Sequence, residues 1–344
     1  MALNKFPGLI DIHVHLREPG ATQKEDFLTG SRAAIAGGFT FIIDMPNNPI
    51  PTFSIEALED KIKLSKKAVC DIGFHFGTNG KNLDEFKKAY LHPKVFGLKV
   101  YLNHTTGDFL IDDPKILNDI FKAWNSNKPI LVHAEGKKIK ECIILAKKYN
   151  RRLHICHISQ KEEIEMVKKA KKEKLKITAG VTPHHLFLID EHIEKIGPFT
   201  MMKPPLGTKK NQDALWQGIL GRTIDLIESD HAPHTKKEKL ADKPSFGVPG
   251  LETTLGLLFK AVHDKKITEK DIVRLLFDNP KKIFNIPEQK NTYIELDPEK
   301  SYRIGGNGYQ TKCAWSPFDK WQVYGKVENV ILHGKQIMKR GKIL

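Results

Sequence analysis

The stretch "DIHVHLREPG" (Asp11–Gly20) places His13 and His15 two positions apart and Arg17 two further on. Residues two apart in a strand share a face. His13, His15 and, if the extended backbone continues, Arg17 therefore point together. Other apolar runs end in polar residues as well: Lys99 in "FGLKVYL", His133 in "PILVHAE", His157 in "RLHICHIS" and Asp230 in "TIDLIESDHA". Imidazole nitrogen and carboxylate oxygen are ligands for Zn2+ and similar ions. A lone strand-end histidine is more often a hydrogen-bonded core residue. A His-x-His pair with three partners on separate strands is not, and this set exceeds the needs of one catalytic zinc, so it points to two metals. Lys99 is costly in an apolar strand unless paired or neutral. It reads either as a salt bridge across the core or as a neutral amine beside metal cations, able to take up CO2 and bridge two ions as a carbamate. Spacing alone leaves both open.

Those residues need a frame that brings distant strand ends together. Eight short apolar runs recur: "GLIDIHVHL", "FTFIIDMP", "VCDIGFHFG", "VFGLKVYL", "PILVHAE", "RLHICHIS", "LKITAGV" and "TIDLIESDHA". Amphipathic stretches separate them, at Lys24–Ala36, Ile55–Ala68, Leu83–Tyr90, Pro114–Ser126, Lys137–Tyr149, Lys161–Lys172 and Gln212–Leu220, with Leu251–His263 after the last. Strands alternating with helices imply a parallel sheet, and eight repeats predict a closed (β/α)8 barrel over residues 8–284. The C-terminal strand ends of such a barrel converge on one mouth, where catalytic residues sit. After "DNPKKIFNI" the texture changes to short strands with glycine turns. Residues 285–344, joined by residues 1–7, are expected to form a small β subdomain.

Composition is that of a globular protein, with 40% hydrophobic and 28% charged residues among 344. No stretch is long and apolar enough to cross a bilayer, and the N-terminus lacks a signal-peptide layout, so a cytoplasmic protein without a membrane partner is expected. The four cysteines, Cys70, Cys142, Cys156 and Cys313, form no CxxC pair, which argues against a disulfide scaffold or zinc ribbon. The net charge of +15 comes mostly from lysines mixed with glutamates on helical stretches such as "KEEIEMVKKAKKEKLK". With no nucleic-acid motif beside it, this charge suits an anionic small molecule better than a nucleic acid.

The motifs "DIHVHLREPG", "GLKVYLN", "VHAE", "HICHIS", "TPHHLFL", "SDHAPHT" and "GVPGLETTL" resemble the amidohydrolase superfamily. Within it the chain is similar to the dihydroorotases, above all those carried on the animal multifunctional pyrimidine-synthesis protein. The resemblance runs over essentially the whole chain, including "NPKKIF" and the "SPFDKW…YGKV…GK" tail. It implies one metal on His13, His15 and Asp230, a second on His133 and His157, and a carboxylated Lys99 between them. The implied cofactors are two Zn2+ per chain, bridged by N6-carboxylated Lys99 and a hydroxide. The implied reaction is reversible cyclisation of N-carbamoyl-L-aspartate to L-dihydroorotate, with Asp230 as catalytic base and then acid.

Substrate contacts follow from the same resemblance. Arg17 offers a planar fork for the substrate carboxylate. Asn47, in "DMPNN", is the second carboxylate contact. His234 binds substrate, the backbone at Phe246 and Gly247 covers the ring, and Thr105 with Thr106, in "NHTTGD", closes over it. Three positions depart from the animal pattern. Lys203 replaces a carboxylate-binding arginine and keeps the charge without the fork. Thr106 replaces an aromatic residue. Gly180 replaces a glutamate associated with an additional metal, which puts that site in question even though Cys156 is present. Other cyclic-amide hydrolases (hydantoinase, dihydropyrimidinase, allantoinase) share the metal ligands, but a neutral ring has no use for Arg17. An inactive scaffold for aspartate transcarbamoylase would not need all six ligand positions. A homodimer is expected, with an aspartate transcarbamoylase as a further partner.

Overall fold

The computed structural model describes residues 3–103 and 109–344. Thr105 and Thr106, expected to close over substrate, lie outside the described residues. After β1 (Asn4–Pro7), eight strands follow in chain order: β2 (Leu9–Val14), β3 (Phe39–Asp44), β4 (Asp71–Gly77), β5 (Val95–Tyr101), β6 (Ile130–His133), β7 (Leu153–Ile155), β8 (Ile177–Val181) and β9 (Leu226–Ile227). They pair as one parallel sheet in sequence order. A parallel bridge between Val14 and His231 joins the last strand's extension to the first, with His15 N donating to His231 O at 2.8 Å. The (β/α)8 barrel expected from the alternating pattern is the architecture observed. Strands β2, β3 and β5 are buried along their whole length, as parallel strands covered on both faces must be.

The helices on the outside match the amphipathic stretches, with shifted ends. The first begins at Phe27 rather than Lys24, because Asp26 caps it by accepting from Thr29 N in a reciprocal box. Lys137–Tyr149 and Lys161–Lys172 stand as expected. Near the end of the barrel segment, Glu269–Val273 runs through a π-helical turn at Arg274–Asp278 into Asn279–Phe284. Ile283, Phe284 and Ile286 pack against Ile10, Ile12, Phe41, Phe96, Leu131 and Leu226, closing the barrel interior with apolar side chains. The mouth at the strand C-termini is thus left as the polar end.

The chain ends meet in a separate antiparallel sheet. Strands β10 (Tyr293–Asp297), β11 (Tyr302–Arg303), β12 (Gln322–Val323), β13 (Lys326–Leu332), β14 (Lys335–Lys339) and β15 (Lys342–Ile343) complete the chain. The sheet order is β1-β10-β13-β14-β15, with β11 and β12 paired apart. Residues from both termini therefore build one small subdomain. Its tail reaches the barrel mouth: Trp315 Nε1 donates to the carbonyl of His234 at 2.7 Å.

Candidate metal and substrate site

The barrel brings the six ligand positions to one place. His13 is on β2 and His15 follows it; Lys99 is on β5, His133 ends β6, His157 follows β7 and Asp230 follows β9. Three residues at this rim have left-handed backbone: Arg17 (φ 62°), His157 (φ 36°) and Asp230 (φ 44°). A non-glycine residue there is strained, and the fold holds the kink to turn the side chain inward. A small cavity at this rim is lined by His13, His15, Arg17, Asn47, Lys99, Tyr101, His133, His157, Lys203, Asp230, Ala232, Phe246 and Gly247.

Close contacts join these side chains, and the ligand atoms of His13 and His157 also fall within 4.8 Å of each other. Asp230 Oδ1 lies 3.0 Å from His15 Nε2 and 3.4 Å from His13 Nε2. His133 Nδ1 lies 3.0 Å from His157 Nε2. Two donors on one tetrahedral zinc, each at about 2.0–2.1 Å, stand roughly 3.3 Å apart. Both groups fit that spacing, and the ligand atoms of His13, His15 and Asp230 all fall within 4.8 Å of one another. Lys99 is fully buried, with Nζ 3.2 Å from Cys156 Sγ. The donor set therefore fits divalent metal.

The electrostatics favour the ligating protonation states. Burial, reinforced by Lys99, lowers the His133 imidazole to about 3. Burial likewise pushes His13 and His157 well below the usual histidine value, and lowers His15. Burial pushes the Asp230 carboxyl up, but His13 and His15 outweigh it and hold the group below the usual range as a carboxylate.

The residues expected to contact substrate flank this cluster. His15 Nδ1 lies 2.7 Å from Asn47 Oδ1, so Asn47 fixes the orientation of the His15 ring. Arg17 Nε donates to Pro233 O at 3.1 Å, and its Nη2 lies 3.2 Å from His234 Nε2. His234 is fully buried and is held against Arg17 rather than lining the cavity. Lys203 Nζ sits 5.1 Å from the Phe246 ring centroid. Gly247 has φ 128°, and a β-carbon there would lie 2.7 Å from Ala232 O, so the loop comes closer than a side chain allows.

The amidohydrolase family model matches residues 4–186, more than half of the chain. The dihydroorotase of Lactobacillus acidophilus is 35% identical over 377 residues, covering 97% of this chain and 88% of that protein. The chain belongs to the amidohydrolase family. Another relative in it, the multifunctional protein pyr1-3 of Dictyostelium discoideum, is 42% identical over 343 residues. That alignment covers 99% of this chain, which spans only 15% of the relative's length. The L-hydantoinase (dihydropyrimidinase) structure from Arthrobacter aurescens superposes with a TM-score of 0.92 at 24% identity, over 99% of this chain and 87% of that one, a likeness of fold.

Against the animal pattern of this family, the departure at Gly180 has a structural counterpart. The carboxylate of Glu228, fully buried, occupies the space above Gly180. It accepts from His157 N and lies 3.3 Å from His13 Nδ1 and 3.4 Å from His154 Nε2. Ligand atoms of His154, Cys156 and Glu228 come within 4.8 Å of one another. Sequence reasoning passed over Glu228; its only signal was a place two residues before Asp230. Lys239 was also missed. Its Nζ donates to Met201 O (2.8 Å), Ser245 O (2.8 Å) and Gly247 O (3.1 Å), and so anchors the loop that carries Phe246 and Gly247.

Proposed function

We propose that the chain is a dihydroorotase, interconverting N-carbamoyl-L-aspartate and L-dihydroorotate in de novo pyrimidine synthesis. The observation that carries this reading is Arg17, an always-charged fork on the wall of a cavity that is also lined by four histidines and Asp230. Dihydroorotases aligned over nearly their whole length support it. Hydantoinase-like folds share the barrel, but a neutral ring supplies no partner for Arg17.

His13, His15 and Asp230 would hold one metal, His133 and His157 a second, and a carboxylated Lys99 would join the two. Two zinc ions held there would supply Lewis acidity toward the amide carbonyl and would lower the pKa of water. Asp230 takes the proton of the attacking water on its carboxylate and returns it to the departing ring nitrogen. Arg17, Asn47 and Lys203 hold the substrate carboxylate. His234, beside Arg17, binds substrate, and the Phe246–Gly247 backbone covers the ring. Thr105 and Thr106 close over it. The barrel unit is taken as 8–284 and the β unit as 1–7 with 285–344. A homodimer and association with an aspartate transcarbamoylase complete the proposal.

The test is hydrolysis of L-dihydroorotate by purified protein with and without a chelator, beside hydantoin and allantoin. Chelator-sensitive turnover of dihydroorotate alone supports the reading. Turnover of hydantoin without dihydroorotate would overturn it.

A further inference from the structure

Tyr101 ends β5, two residues beyond Lys99, so the two side chains share a face of the strand. The register places Tyr101 beside His133. Its ring centroid lies 5.2 Å from Lys99 Nζ and 6.1 Å from the His133 ring. Tyr101 lines the metal-side wall of the cavity and is only 2% exposed. Its hydroxyl has no hydrogen-bond partner among the described residues. The hydroxyls of Tyr149 and Tyr309, by contrast, donate to Asn118 and Asp319.

A buried hydroxyl without a partner is costly, and phenylalanine would fill the same space without that cost. Among the described residues no group partners the oxygen at Tyr101, and a molecule bound in the cavity that Tyr101 lines can supply one. Arg17 and Lys203 supply the cations suited to a carboxylate. Tyr101 offers a neutral O–H, suited to a carbonyl oxygen. It stands with Lys99 and His133, where the amide carbon would be attacked. We infer that the Tyr101 hydroxyl donates a hydrogen bond to the carbonyl oxygen of the cyclic amide at which water adds. This rests on the proposed cyclic-amide chemistry. The phenol keeps its proton throughout; the hydrogen bond strengthens as negative charge gathers on the oxygen during addition.

Tyr101→Phe removes only that hydroxyl. In hydrolysis of L-dihydroorotate, kcat is expected to fall about 100-fold, with KM within about twofold. Metal per chain and Tm are expected at wild-type values. Unchanged kcat overturns the assignment. So does a fall in kcat accompanied by lost metal, which marks a structural role. A rise in KM alone also overturns it, because it places the hydroxyl on a group that the reaction does not change. If the wild-type chain turns over hydantoin and not dihydroorotate, the functional reading fails, and the same comparison on hydantoin decides Tyr101. A wild-type chain inactive on both overturns the two together.

Discussion

The carboxylate of Glu228 stands over Gly180: a β-carbon at 180 would lie 2.8 Å from Glu228 Cδ. The neighbouring strands make this contact, since Gly180 on β8 pairs with Leu226 on β9. From that position Glu228 touches both His13 and the backbone of His157. Gly180→Ala should therefore destabilise by about 1–3 kcal/mol, as overpacking does in a close-packed interior. It should also weaken metal retention by displacing the carboxylate that orients His13. Combining Gly180→Ala with Glu228→Ala removes the clash, so the two penalties should be less than additive. Denaturant unfolding of the four proteins in the cycle checks this; strict additivity would refute the contact.

Arg17→Ala should lose substrate binding and keep the metals. A charge-assisted bidentate pair is removed, at a cost of about 2–4 kcal/mol in kcat/KM for dihydroorotate. Steady-state kinetics with metal analysis on the same sample decide it, and wild-type kcat/KM would sink the assignment. Lys203→Arg is the companion experiment. Lys203 is on the cavity wall, so a restored fork should hold or lower KM; a large loss of activity would instead show that the site has no room for it.

Lys99→Ala tests whether one site or two is held. Without the bridging group, His133 and His157 are too few ligands to retain a second ion firmly. Metal per chain should fall along with turnover. Acetate or propionate, entering the vacated space as a bridging anion, should restore part of both. A variant with two metals per chain and wild-type activity would end the carboxylysine proposal.

Acid should weaken the metal-free fold through its buried histidines. An exposed histidine titrates near 6.5, while burial lowers His133 to about 3. Between those values the unfolded chain binds a proton that the folded site does not. The His133 contribution is therefore complete above about pH 6.5 and is lost as pH falls toward about 3. Asp11 acts in the opposite sense, because burial raises it to about 7. The comparison is thus between chelated wild type and chelated His133→Asn. The variant should lose less stability from pH 7 to pH 4, and equal slopes would contradict the assignment.

Much of this protein was legible in its residue order. Apolar runs ending in His, Lys or Asp, separated by helical periods, determined a parallel barrel and the end of it that carries chemistry. Periodicity and short motifs are local, and His13 and His15 declare a shared face within three residues. The tertiary structure alone decided which distant groups touch. Arg17 meets His234 across 217 positions of sequence, and Lys99 meets Cys156 across 57. The same closure set Glu228 against Gly180, left the Tyr101 hydroxyl without a partner among the described residues and brought Trp315 from the tail to the rim. Such contacts depend on strand register and barrel closure, which place side chains by the geometry of the whole sheet and leave no periodic trace in the chain.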